Sequence, residues 1–317
     1  VKLYCYLLAG LLCLLVGCKP PETPKQTISS PALIILGVAQ DAGYPQMGCD
    51  KDCCKRAWNS PSLKRLATSL ALVDPPTKKW WLFEATPDIK EQLQLFRNLT
   101  DSIYNFLPDG IFITHGHIGH YTGLMQLGRE AMNSNHVSVY VMPRMKKYLS
   151  ENGPWSQLVF LNNISLADLN NDSSVALNKE ITVIPFTAPH RDEFSETAGF
   201  RIRVSNYQAL FIPDIDKWNK FDRDISAMIR QSNLALLDGT FYKDGELPGR
   251  PMSEIPHPFI EESMTLFSSF KADDKKKIRF IHFNHTNPLL NQRSNESIKV
   301  LSKGFMIAEQ GKFIVTK

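Results

Sequence analysis

The chain has 317 residues, 43% of them hydrophobic and 21% charged, a composition that excludes a disordered or low-complexity chain and is long enough to bury a large core. Its formal charge of +4 is dispersed. The densest basic run, Lys275-Lys276-Lys277, is short and preceded by Asp273-Asp274, so no nucleic-acid partner is expected. The eight histidines are unevenly placed: His115, His117 and His120 fall close together, as do His282 and His285. Such clustering is the first indication of a metal site.

In chain order, residues 1–17 read as a targeting segment. Lys2 supplies a positive start, an apolar run extends from Leu3 to Val16, and small residues precede Cys18. The run is about fourteen residues, short of the roughly twenty a membrane span needs, although an uncleaved helical anchor is the alternative. Leu15-Val16-Gly17-Cys18 resembles the lipobox of bacterial lipoproteins, which implies cleavage before Cys18, lipidation of that cysteine and an exported, membrane-anchored protein. Residues 18–31, with four prolines after Lys19, form a tether, and 32–317 form the folded domain.

Strands are expected at 32–37, 68–73 and 80–83, the last two separated by Pro75-Pro76. A helix over 87–99 follows from the spacing of Ile89, Leu93 and Phe96. A strand at 111–113 runs into the histidine cluster, followed by a helix at 122–133 and a strand at 137–142. The second half continues with strands at 181–185, 200–204, 209–212, 234–237 and 278–283, and helices at 221–232 and 260–270. Strands interleaved with helices, and no linker between the halves, predict one α/β domain with the site at strand ends between two αβ halves.

The segment Thr114-His115-Gly116-His117-Ile118-Gly119-His120 follows an apolar strand, so His115 and His117 can face the same way from the loop while His120 returns from the start of the next helix, a set of imidazoles suited to metal. It resembles the H-x-H-x-D-H signature of the metallo-β-lactamase superfamily. That resemblance implies an αββα sandwich and one or two divalent metals, zinc first, with manganese or iron as alternatives. It carries ligand roles onto His115, His117, His120, His190 in Ala188-Pro189-His190, Asp214 in Ile212-Pro213-Asp214 as the bridge, and a late histidine. His282, at a strand end, is favoured over His285, which then becomes a neighbouring proton-transfer residue. His257 reads either as a proton shuttle or as an ordinary loop histidine.

Within the superfamily, Ala42-Gly43-Tyr44-Pro45-Gln46, Phe83-Glu84-Ala85-Thr86-Pro87-Asp88, Leu237-Asp238-Gly239-Thr240 and His282-Phe283-Asn284-His285-Thr286-Asn287-Pro288 resemble the pyrroloquinoline-quinone biosynthesis protein B group. One departure stands out: Gly119 occupies the place of the motif aspartate. The second metal position then keeps His120, Asp214 and the late histidine, with Asp41 or Asp238 as carboxylates that could compensate. On that reading, Gly119→Asp should tighten the second site. Cys49, Cys53 and Cys54 resemble the group's structural zinc cluster with altered spacing, and a disulfide plus a free thiol is the rival.

The resemblance implies water activated by the metal, with Asp214 orienting it and His257 or His285 moving a proton, on an ester, phosphodiester or related bond of a small-molecule substrate. The rivals are an iron-dependent oxidase of cofactor biosynthesis and a non-catalytic lipoprotein that binds metal or ligand. Oligomeric state is not readable.

Overall fold

The computed structural model describes residues 28–316. The expected signal segment, Cys18 and most of the tether lie outside the described residues. Among those described, no helix is long and apolar enough to cross a membrane.

Two seven-stranded sheets face each other. The first contains β1 (Ala32–Gly37), β2 (Ser69–Asp74), β3 (Lys79–Phe83), β4 (Gly110–Phe112), β5 (Val137–Val141) and β6 (Ile164–Asp168) in that order, with β14 (Phe313–Val315) outside β1. The second runs from β7 (Val175–Ala176) through β8 (Ile181–Thr187), β9 (Ala198–Val204), β10 (Tyr207–Ile212), β11 (Leu234–Asp238) and β12 (Ile278–Ile281) to β13 (Met306–Ile307). Helices α2 (Ile89–Leu99), α4 (Pro143–Glu151) and α5 (Trp155–Phe160) pack on the outer face of the first sheet, through Leu93, Phe96, Leu149, Trp155 and Leu158. Outside the second lie α6 (Ile225–Arg230) and α7 (Ile260–Leu266), through Met228, Ile229, Ile260 and Met264. This is the αββα sandwich of the metallo-β-lactamase fold.

Alternation along β1 shows why a continuous apolar run is needed there. Leu33 and Ile35 face the layer between the sheets, whereas Ala32, Ile34 and Leu36 face the outer helices. Between the sheets, Phe83 stacks on Phe112 at 4.9 Å and meets the edges of Phe200 at 5.5 Å and Phe211 at 6.2 Å from the opposite sheet. Each ring buried this completely contributes about 2–3 kcal/mol.

Strand direction places the site. In the first sheet β1 is antiparallel to β2 and β2 to β3, and β3 is parallel to β4, so β1 and β4 run the same way. In the second sheet β8, β10, β11 and β12 likewise share one direction. Their carboxyl ends deliver Asp41, His115, His190, Asp214, Asp238 and His282 to one rim, where ligands of open α/β sheets are found.

The expected helix at 122–133 is replaced by α3 (Ile118–Tyr121) and a 3-10 turn, Thr122–Leu127. The backbone leaves helical geometry at Gly128 (φ −68°, ψ 169°), whose N–H closes the last turn on Met125 O at 3.1 Å. The helices expected at 221–232 and 260–270 are confined to Ile225–Arg230 and Ile260–Leu266.

Candidate metal centre

The loop after β4 brings His115 Nε2 to 2.8 Å from His117 Nδ1. His190, beyond β8, points its Nε2 at Asp214 Oδ2 from 3.2 Å, and His115 Nε2 lies 3.5 Å from the same oxygen. These four ligand atoms lie within 4.8 Å of one another. His115, His190 and Asp214 are buried, and His117 is partly open.

A second group adjoins the first. His120 Nε2 is 3.6 Å from Asp214 Oδ2, so that carboxylate lies between both groups. It is also 3.3 Å from Asp41 Oδ1, and His282 Nε2 is 3.7 Å from that Asp41 oxygen. Asp41 reaches this place because Ala39 forms isolated bridges to Ala67, just before β2, and to Phe283, just after β12. Phe283 N donates to Val38 O, and Gln40 N to Phe283 O, both at 2.8 Å. Asp41, Glu84 and His282 all have positive φ, 23°, 74° and 70°. Non-glycine backbone is rare there and clusters at functional sites.

Several of these atoms are buried and lack a hydrogen-bond partner within the protein: Asp41 Oδ1, both nitrogens of His120 and of His190, and His282 Nε2. Leaving so many polar atoms unpaired in one place would cost about 1–3 kcal/mol each, and a cation shared among them removes that cost. The donor set of imidazole and carboxylate suits zinc, iron or manganese. The far nitrogens of His115 and His282 are hydrogen-bonded to threonine hydroxyls, and those of His190 and His120 face carboxylates at ion-pair distance. Thr114 Oγ1 is 2.8 Å from His115 Nδ1, Asp216 Oδ1 3.3 Å from His190 Nδ1, Thr240 Oγ1 2.9 Å from His282 Nδ1, and Glu84 Oε2 3.5 Å from His120 Nδ1.

Burial alone would raise the Asp214 carboxyl, but His190 and His257 hold it well below the usual carboxylate range. Burial disfavours protonation of His190, yet Asp214 outweighs it and lifts the group to about 9. His115 goes the other way, held low by burial and by His120. Asp214 is therefore ionised among these imidazoles, the charge state in which a carboxylate can bind a cation.

His257 is buried, with Nδ1 2.8 Å from Asp238 Oδ2 and 3.1 Å from Asp214 Oδ1. The alternative of an ordinary exposed loop residue therefore does not hold. Asp238 is already engaged: Oδ2 accepts from Ile215 N and Oδ1 from Thr240 N. It faces His257, and its ligand atom groups with those of Asp214 and His257 and not with those of His120 and His282. The space beside Gly119 is occupied by Asp41. A Cβ at residue 119 would lie 2.3 Å from Asp41 Oδ1 and 2.4 Å from its Cα. The expectation that Gly119→Asp would simply add a ligand is corrected accordingly, because the space is filled.

His285 also needs correcting. It does not join His282. Its Nδ1 lies 3.3 Å from Cys54 Sγ and 3.7 Å from Cys53 Sγ, and Cys53 Sγ is 3.6 Å from Cys49 Sγ. The backbone turns between the two histidines, where Asn284 N bonds to Thr240 O and Asn287 N to Asn284 O. Cys53 and Cys54 sit on α1 (Asp52–Trp58), with Cys49 in the preceding loop, and all three are free thiols. Ligands about 2.3 Å from a tetrahedral zinc stand about 3.8 Å apart, close to these separations and far from a disulfide's roughly 2 Å. Glu84 and Asp216, which face His120 and His190, do not stand out in the sequence; a lone acid at the end of a buried strand, as in Leu82-Phe83-Glu84, is the signal that could have found the first.

The model of the beta-lactamase superfamily domain matches residues 79–312. The chain is 25% identical over 309 residues to coenzyme PQQ synthesis protein B of Methylorubrum extorquens strain PA1, covering 88% of this chain and 98% of that protein. The crystal structure of Zn(2+)-bound PqqB from Methylobacterium extorquens superposes with a TM-score of 0.74 at 22% identity, covering 89% of this chain and 99% of that one. A diphosphatase from the PhnP family superposes with a TM-score of 0.62 at 21% identity, covering 90% and 98%. With the family model spanning most of the chain and these groups gathered at the rim between its sheets, the chain belongs to the beta-lactamase superfamily.

Proposed function

We propose that this protein is a metal-dependent hydrolase that cleaves an ester, phosphodiester or related bond of a small-molecule substrate. The observation that carries this reading is the position of Asp214 between two imidazole groups, 3.2 Å from His190, 3.5 Å from His115 and 3.6 Å from His120. His115, His117, His190 and Asp214 would hold one divalent ion, zinc in first place. His120, His282 and Asp214 would hold a neighbouring one. A bound ion supplies Lewis acidity and lowers the pKa of a coordinated water toward neutrality.

The chain's own residues do the rest. Asp214 Oδ1 faces His257 Nδ1, so the carboxylate orients groups on both sides of the centre. Burial opposes protonation of His257, but Asp238 and Asp214 raise it to about 10, which keeps a proton available for a leaving oxygen. With Nδ1 held by Asp238, Nε2 is the atom left to exchange that proton. Cys49, Cys53, Cys54 and His285 would hold a separate structural zinc. Burial pushes the Cys54 thiol up to about 12, so it stays protonated and unreactive unless a cation draws it into the thiolate form.

A second reading, an iron-dependent oxidase of cofactor biosynthesis, is favoured by the similarity to a coenzyme PQQ synthesis protein over 88% of the chain. The lipobox-like segment ending at Cys18 would anchor the enzyme outside the cytoplasmic membrane, which speaks against a direct role in making that cofactor. The test is an assay of the full chain, loaded with zinc, manganese or iron, against chromogenic esters and phosphodiesters with and without dioxygen. Hydrolysis in its absence supports the proposal. Turnover only with iron and dioxygen replaces it with the second reading.

A further inference from the structure

We propose that Asp41 supplies the carboxylate ligand of the second metal position that the histidine loop no longer carries, making this a relocated-ligand centre. The inference rests on the hydrolase reading only in requiring a second ion beside Asp214.

Three independent observations converge on it. First, the place at residue 119 where a motif carboxylate would begin is filled by Asp41 itself, whose Oδ1 and Cα lie 2.3 and 2.4 Å from a Cβ built there. Only glycine lets the loop after β1 pass so close. Second, Asp41 Oδ1 faces His120 Nε2 at 3.3 Å and His282 Nε2 at 3.7 Å, and the three ligand atoms lie within 4.8 Å of one another. All three atoms are buried without a hydrogen-bond partner in the protein, and the rings of His120 and His282 are 1% and 0% exposed. Third, Asp41 is held there by long-range structure, through the isolated Ala39 bridges to Ala67 and Phe283, and at a positive φ. Backbone kept in that region implies that its surroundings enforce the conformation.

The alternative use of Asp41 is a simple ion pair with His120. In it Asp41 Oδ1 would accept from both rings, but 3.3 Å to His120 and 3.7 Å to His282 exceed the roughly 2.7–2.9 Å of charge-assisted hydrogen bonds, and both nitrogens stay without one. One cation on Asp41, His120, His282 and the shared Asp214 satisfies all four. Losing an outer residue that merely supports a ligand costs about 10–100-fold in metal affinity, so losing a direct ligand should cost at least about 100-fold.

Asp41→Asn keeps size and tolerates the same backbone, since asparagine is among the residues that accept positive φ. Metal content of the full-length wild type and variant should be measured after equilibration with zinc at fixed free concentrations. The expected result is weakening of one imidazole-site equivalent by at least about 100-fold, with the other unchanged and the thiol-bound equivalent intact. Gly119→Ala, which leaves the carboxylate in place but pushes it aside, should lose the same equivalent. Anomalous diffraction from the metal-loaded wild type answers the same question without any variant, by finding the second ion about 2.0–2.2 Å from an Asp41 oxygen. A second ion bound in the wild type with Asp41 turned away, or held equally well by Asp41→Asn, overturns the inference and leaves the hydrolase reading standing. Absence of any ion on the histidines of the wild type overturns both.

Discussion

The cysteine cluster and the histidine–aspartate centre differ in ligands, in burial and in how the fold builds them. Three thiols and one imidazole come from a loop, a seven-residue helix and the turn at His285, and together they close a four-ligand set at the periphery. Imidazoles and carboxylates come from the carboxyl ends of strands in both sheets, and Asp214 lies against both groups, so only three residues would serve either ion exclusively. A closed set suits a structural ion, and a set with open positions suits chemistry. His282 and His285 make the division plain: close neighbours in sequence, they face different clusters. A short turn with its own hydrogen bonds is enough to send two identical side chains to two different tasks.

The comparison can be broken most severely at the first histidine group. His117→Ala removes a ligand that is already partly open and has little packing role, so the fold should survive. Metal affinity of the first position should fall at least about 100-fold and turnover should vanish, while the thiol-bound ion stays. Elemental analysis beside a turnover assay checks both. Full turnover with unchanged metal content would show that the centre does not do the chemistry.

A smaller effect is expected at His257. His257→Gln should leave every ion in place and lower kcat by about 10²–10⁴-fold, the range for losing a general acid or base. The loss should be least with substrates whose leaving group needs no proton, such as a nitrophenolate. An equal loss with good and poor leaving groups would assign His257 to holding Asp214 in position instead.

The mildest change for catalysis should come from the other cluster. Cys54→Ser should release one ion and destabilise the domain by about 3 kcal/mol, lowering Tm by roughly 6–12 °C. Turnover per folded molecule should stay the same. A thermal melt with metal analysis reads the first effect, and specific activity at a temperature well below Tm reads the second.

Much of this is legible in the sequence. The continuous apolar run of β1 and the β-branched strand leading to His115 identify buried strands, because both their faces are covered. The order of His115, His117, His120, His190 and Asp214 along the chain is enough to expect them together, and the structure gathers them. The sequence offers Asp41 and Asp238 equally, and the choice between them depends on the bridges at Ala39, contacts between segments far apart in the chain that leave no local pattern. α1 is hidden for another reason: Asp52-Cys53-Cys54-Lys55-Arg56-Ala57-Trp58 has no amphipathic period, and the residues that fix it in place are the thiols and the Tyr44 hydroxyl on Cys53 O. The helix after His120 is shorter than its apolar spacing suggests because the backbone turns out of helical geometry at Gly128, a single glycine that a helical pattern often tolerates.

The division of labour itself is tested most directly by titrating cobalt into the metal-free full chain, following thiolate-to-metal absorbance and hydrolytic turnover together. Turnover should follow filling of the imidazole and carboxylate groups and be indifferent to the thiolate band, so that Cys54→Ser, lacking the band, still becomes active. Activity that rises and saturates with the thiolate band, or none at full occupancy of the histidine groups, would contradict the account.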